Sequence, residues 1–245
     1  MDGTQLFNQE DSFLRYMRRR EKRDNPNRVI ERPIMTQMVG AVKGLDFLDL
    51  GCGDASFGQL LLQQGCQSYV GLEGATRMAE RGRECLKDTP GKIVETDITT
   101  WDYPPEQFDR VLSSLVLHYV KDIPQLLKAI VRTLRPGGRL IFSVEHPVVT
   151  ACFKSSEGHR RENWLVDDYF CTGERVKPWL GSEVKIYHRT LEDWYRLLQE
   201  SGLIVENIRE SCPDRRQFTS EEEYQRRKRI PLYLFLQGRK PNTDK

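Results

Sequence analysis

The residues of this chain that could do chemistry begin with two glycines and an acid. In the stretch Leu45 to Gly58, LDFLDLGCGDASFG, the apolar run Phe47 to Leu50 stops at Gly51, and Gly51 and Gly53 turn the chain into a helix opening near Ser56. Glycines let a backbone pass close to a ligand, and the free N–H groups of a helix start favour polar or anionic groups, so the turn suits a nucleotide-like molecule. The next apolar run, Tyr69 to Leu72, ends in Glu73, whose carboxylate can accept both hydroxyls of a ribose. A dinucleotide enzyme would carry its third glycine where this chain has Ser56, which weighs against a nicotinamide-dependent oxidoreductase. Further along, His118 follows another apolar run, and an imidazole with an ordinary pKa near ~6.5 suits a neutral-pH base.

These residues need a sheet to bring them together. The expected strands are Phe47 to Leu50, Tyr69 to Glu73, Ile93 to Asp97, Phe108 to Val116 and Arg139 to Val144. Helices are expected at Phe57 to Gln64, closed by Gly65, at Thr76 to Leu86, and from near Pro124 to Leu134, capped by Asp122. Strands alternating with such crossovers imply an α/β fold with a doubly wound, parallel sheet, and ligands in such sheets sit beyond the carboxyl ends of the strands. Gly51, Glu73, Asp97, Ser113 and Glu145 should therefore gather at one edge. An amphipathic helix is expected over residues 11 to 23. Val148 to His188 breaks the pattern and is rich in aromatics, including Phe153, Trp164, Tyr169, Phe170, Trp179 and Tyr187; it reads as a lid, a small core of its own, or both. Thr190 to Asp193 resembles a capping box ahead of Trp194, Leu197 and Leu198, and Leu203 to Ile208 and Pro231 to Gly238 read as the last two strands.

DLGCG at 49 to 53, Glu73 after the second strand, Asp97 after the third and the turn Arg135, Pro136, Gly137, Gly138 together resemble a class I S-adenosylmethionine-dependent methyltransferase. The likeness is close over residues 45 to 145, with Ala55 standing where the family often has a third glycine. It implies a seven-stranded, mostly parallel Rossmann-like sheet in a single domain over 1–245. Within it, residues 1–40 would be an N-terminal helical cap, 41–147 the cofactor core, 148–190 a substrate lid inserted after the fifth strand, and 191–245 the part that completes the sheet. S-adenosylmethionine is then the cofactor and S-adenosylhomocysteine its product. Asp49, Gly51, Gly53, Glu73, Gly74, Asp97, Ile98 and Ser113 would bind it, with Asp97 accepting from the adenine amino group and Ile98 beside the ring. Tyr16 and Arg20, four apart on one helical face, would meet it from the cap, the arginine suiting the methionine carboxylate.

By the same resemblance His118 lies between cofactor and substrate as the candidate base. Tyr119, Glu145, His146, Trp164, Tyr169, Trp179 and Tyr187 are the candidate substrate residues. Nucleic-acid amino-methylating members carry an Asn or Asp, Pro, Pro, aromatic tetrad after the fourth strand; here Ser113, Ser114, Leu115 and Val116 stand instead. Methylation of a base amino group is thus not expected, and the aromatic side chains from 150 to 190 favour a small, planar or heteroaromatic acceptor methylated on nitrogen or oxygen. RNA or protein methylation and a non-catalytic cofactor-binding module are the alternatives.

A length of 245 residues suits one sizeable core. No apolar run approaches the roughly 20 residues of a membrane span, and the first residues lack a secretory pattern, so the expectation is a cytoplasmic monomer or homodimer. Six scattered cysteines, at 52, 66, 85, 152, 171 and 212, give neither a disulfide framework nor a metal site and are expected to be small buried hydrophobes. A net charge of +2 argues against general attraction to nucleic acid, although Arg15 to Arg32 holds eight Lys or Arg against three acids.

Overall fold

Apolar runs buried on both faces set the centre of the molecule, which the computed structural model describes over residues 3–151 and 164–242. The strands are β1 (Asp46–Leu50), β2 (Ser68–Glu73), β3 (Lys92–Glu95), β4 (Phe108–Ser114), β5 (Leu134–Glu145), β6 (Gly173–Trp179), β7 (Ser182–His188), β8 (Ile204–Glu210) and β9 (Tyr233–Arg239). Seven of them form one sheet in the order β3-β2-β1-β4-β5-β9-β8. Neighbours from β3 to β5 are parallel, and β9 runs antiparallel between β5 and β8. The doubly wound, seven-stranded, mostly parallel sheet expected from the sequence is thus present, and its strand carboxyl ends lie along one edge.

Ahead of the sheet come α1 (Gly3–Asn8), α2 (Glu10–Glu21), a π-helical turn (Asn27–Glu31) and α3 (Arg32–Val39). Then follow α4 (Ser56–Gln63), α5 (Thr76–Cys85), α6 (Ile123–Thr133), α7 (Pro147–Thr150), α8 (Leu191–Glu200) and α9 (Glu221–Arg227). One face of the sheet packs against Leu126, Leu127 and Ile130 of α6 and Trp194 and Leu198 of α8. The other packs against Ile34, Met35 and Met38 of α3 and Phe57 and Leu61 of α4. Each such side chain contributes roughly 1.5–3 kcal/mol on burial. Helix starts follow the sequence: the Asp122 side chain accepts the Gln125 N–H at 3.2 Å. Thr190 and Asp193 exchange side-chain to backbone hydrogen bonds at 3.0 and 2.8 Å, a complete capping box. At the end away from the site, Arg135 clamps Asp46 at 2.8 Å and Asp109 at 2.7 Å, which fixes the starts of the central strands.

Four local expectations are corrected. The cap is two helices, α1 and α2, and a π turn running into α3, where a single helix over 11 to 23 was expected; α2 stops at Glu21. β3 stops at Glu95, opposite Glu73, and Asp97 lies in the turn that follows, its carbonyl accepting the Thr100 N–H at 3.2 Å. The aromatic stretch contains a β-hairpin, β6 and β7, in which Trp179 pairs with Ser182. Its two-residue turn, Leu180 and Gly181, has positive φ at both positions (55° and 86°), the geometry that twisted hairpins favour. A leucine is unusual there, so the hairpin carried no Asn-Gly or Asp-Gly signal. Finally, Cys171 and Cys212 are exposed, and only Cys66 is fully buried among the described cysteines. Phe153 and Cys152 lie outside the described residues. Among the described residues no helix is long and apolar enough to cross a membrane.

Candidate active site

β1 ends at Leu50, and the backbone then takes left-handed conformations at three alternate positions, Gly51 (φ 68°), Gly53 (φ 59°) and Ala55 (φ 55°). Gly51 and Cys52 give their N–H groups to the Leu72 carbonyl at 2.8 and 3.0 Å, which ties the loop to the end of β2. There Glu73 accepts the Gly53 N–H at 2.8 Å and the Ala75 N–H at 2.9 Å. Burial pushes the Glu73 carboxyl up from its ordinary range, and those N–H groups hold it back. A Cβ at Gly51 would stand 2.4 Å from Val116 Cγ2, whereas one at Gly53 would meet only the Arg20 guanidinium, 3.9 Å away. The loop is therefore packed on one side and open on the other.

The open side faces a cavity of about 510 Å³ beyond the strand ends. Gly51, Gly53, Glu73, Gly74, Asp97 and Ile98 all line it, as does Tyr16 from α2. Asp97 holds its turn by accepting both the N–H and the hydroxyl of Thr99, at 2.7 and 2.8 Å. Arg20 lies across the glycine loop, 3.1 Å from Asp54 and 3.0 Å from the Ser56 hydroxyl, with its guanidinium 5.7 Å from the Tyr16 ring. Burial works against its charge, but Tyr16 and Asp54 raise its pKa overall.

Two of the expected cofactor residues face elsewhere. Asp49 is buried under the loop and accepts the Tyr69 hydroxyl at 2.8 Å. Ser113 is buried too, and its hydroxyl reaches the Leu50 carbonyl at 3.3 Å. Successive strand residues alternate in direction, and the wall is formed by the next residue, Ser114, with Leu115 and Val116. Leu115 takes φ 58°, pinned by its N–H to the Ser143 carbonyl at 3.0 Å and to the Ser143 hydroxyl at 3.1 Å. That hydroxyl in turn donates to the buried Glu31 carboxylate at 2.8 Å.

At the other end of the cavity stand His118, Tyr119, Glu145 and Trp179 of the expected residues, joined by Asn27 and Tyr233. Lys177 of β6 donates to both carboxylate oxygens of Glu145. The Tyr233 hydroxyl donates to Asn27 at 2.8 Å. Neither Asn27 nor Tyr233 was found from the sequence. The signal for Tyr233 was available, since a final strand running antiparallel to β5 starts at the edge where β5 ends, and Tyr233 pairs with Glu145.

The remaining expected substrate residues do not line this cavity. His146 is buried against Glu210 at 2.9 Å and accepts the Val148 N–H at the start of α7. The Tyr169 hydroxyl accepts the Leu191 N–H at 3.3 Å, at the start of α8. Tyr187 lines a separate depression beside Lys121 and Glu174, and half-buried Trp164 lines neither.

His118 is 2% exposed, and burial lowers its pKa from 6.5 to about 4, with Glu145 raising it and Lys177 and Arg189 lowering it further. The imidazole is neutral at physiological pH, and a base of ordinary pKa, as expected from the sequence, is not what the fold makes of it. The sign follows: the unfolded chain protonates this histidine near ~6.5 while the folded one resists down to about 4, so stability drops as pH falls through that window. Urea unfolding of wild type and His118→Gln should show the wild type losing about 2 kcal/mol more on going from neutral pH to pH ~5.

Residues 48–142 match the methyltransferase domain family model. The crystal structure of an S-adenosylmethionine-dependent methyltransferase from Mesorhizobium loti is 32% identical and superposes with a TM-score of 0.78, covering 86% of this chain and 97% of that one. A Haemophilus influenzae protein of unassigned activity is 28% identical across 96% of both chains. An uncharacterised methyltransferase of Schizosaccharomyces pombe is 28% identical over 66% of this chain and 60% of its own length.

Proposed function

Because this chain belongs to the S-adenosylmethionine-dependent methyltransferases, we propose that it transfers the cofactor's methyl group to a nitrogen or oxygen of a small molecule held at the hairpin end of the cavity. The observation that carries the reading is the single cavity itself. It joins the glycine loop and Glu73 to a partly enclosed end walled by His118, Tyr119, Trp179 and Tyr233. Its volume of about 510 Å³ lies within the range of small-molecule sites.

The chain's own residues fit the cofactor. At Gly53 the space a Cβ would take is open, so the backbone can approach a ligand there. Glu73 suits the ribose hydroxyls, Asp97 and Ile98 the adenine, and Arg20 with Tyr16 the amino-acid end from above the loop. When bound, the sulfonium supplies an electrophilic methyl carbon. The aromatic walls orient the acceptor, and such positioning can reach effective molarities of roughly 10⁵–10⁸ M. Of the eight basic residues between Arg15 and Arg32, Arg20 pairs with Asp54, Arg19 stacks on Trp179 and Arg32 on Phe57, while Arg15, Arg18, Lys22, Arg23 and Arg28 are exposed. Incubation with S-adenosylmethionine and a set of small phenols, acids, amines and heteroaromatics should yield methylated product by mass spectrometry. Methylation of RNA or protein alone would overturn the reading.

A further inference from the structure

Charge is divided along the cavity. At the cofactor end the lining acids are Glu73, Glu95 and Asp97. At the hairpin end Glu145 is the lining carboxylate, and Lys177 takes both its oxygens. Beside that neutral pair stand two donors, the Arg19 guanidinium and the Trp179 indole N–H. The Arg19 guanidinium stacks 4.5 Å over the Trp179 ring, and among the described residues no carboxylate pairs with it. The Trp179 indole N–H is buried with no hydrogen-bond partner among the described residues, a state that costs about 1–3 kcal/mol until an acceptor arrives. Lys121 stands at the rim, again without an ion pair among the described residues. Arg19 also bears on Tyr233: burial raises that hydroxyl's pKa, Glu145 and Glu31 add to the rise, and Arg227 and Arg19 oppose it.

A cationic amine would meet a carboxylate already neutralised and two further cations. A neutral alcohol would need a base, and the imidazole at this end is held near 4. We propose, resting on the function above, that the acceptor is the anionic oxygen of a small organic acid, a carboxylate or an ionised phenol, drawn to the hairpin end by Arg19 and the Trp179 N–H. The acceptor oxygen's lone pair forms the O–C bond as the C–S bond of the sulfonium breaks, its electron pair staying on sulfur. One negative and one positive charge are consumed, leaving a neutral methyl ester or ether and a neutral thioether, with no proton to move.

The test is calorimetric binding to the wild type, Arg19→Gln and Trp179→Phe, each saturated with S-adenosylhomocysteine. The probes are benzoate and 4-nitrophenolate as the two anions, benzyl alcohol as the neutral and benzylamine as the cation. Arg19 is exposed and the Phe variant keeps the ring, so both variants should fold and bind S-adenosylhomocysteine like the wild type. One of the anions should bind at least about tenfold more tightly than the alcohol and the amine, and each variant should lose about tenfold for that anion alone. The anion that binds tells a carboxylate from a phenol. Tighter binding of benzylamine, no preference among the probes, or variants that bind the anion as the wild type does would overturn the inference. Failure of S-adenosylhomocysteine to bind the wild type would instead remove the function on which it rests.

Discussion

Gly51→Ala should lose S-adenosylhomocysteine affinity by more than about 100-fold, because two costs fall on one atom. The backbone there has φ 68°, where an L side chain costs roughly 1–2 kcal/mol. The added Cβ would also sit 2.4 Å from Val116 Cγ2, closer than real contacts allow, and a tight 3.0 Å from its Cγ1. Val116 is itself a wall of the cavity, in the segment pinned by Leu115 and Ser143, so it cannot retreat without moving the site. The double variant Gly51→Ala, Val116→Ala removes the struck atoms and should recover part of the affinity, leaving only the backbone strain. Calorimetric titration of both variants checks this. Equal loss in the two would mean that strain alone is at work and that the contact with Val116 is not what shapes the loop.

Glu73→Ala should weaken the same ligand by about 1.5–3 kcal/mol, roughly 10- to 150-fold. The carboxylate does two things at once: it faces the cavity as an acceptor, and it holds the Gly53 and Ala75 N–H groups. Glu73→Gln keeps an oxygen for one of those groups but brings an NH₂ against the other, so it should bind with little more strength than the alanine. A Gln variant close to wild type would show that acceptance by a charged carboxylate is not used.

The cofactor end was legible because its residues act through backbone geometry and sequence order. Gly51 and Gly53 announce a turn by their type, and Glu73 and Asp97 are found by counting from apolar runs. The one-residue error at Ser113 shows the limit of that counting. An apolar run buried on both faces has no alternation to give its phase, so which of Ser113 and Ser114 faces the cavity was not readable. The hairpin end was read less well. Trp179 and Tyr187 lie on the opposed strands of the hairpin, yet only Trp179 reaches the main cavity, and aromatic content alone could not separate them. His118 was found by position, but its neutral state depends on complete burial, which the sequence does not display. Asn27 reaches the cavity through a π-helical turn for which no pattern was recognised.

The most direct test of the account is a thermal-shift titration of the wild type with S-adenosylhomocysteine beside NADH. At about 100 times its dissociation constant a ligand of the folded state stabilises it by roughly 2.7 kcal/mol. For a chain of this size that is a rise of about 5–10 °C. S-adenosylhomocysteine should give that rise and NADH none. No shift with S-adenosylhomocysteine, or an equal shift with NADH, would contradict the assignment of the strand-end cavity to the sulfonium cofactor.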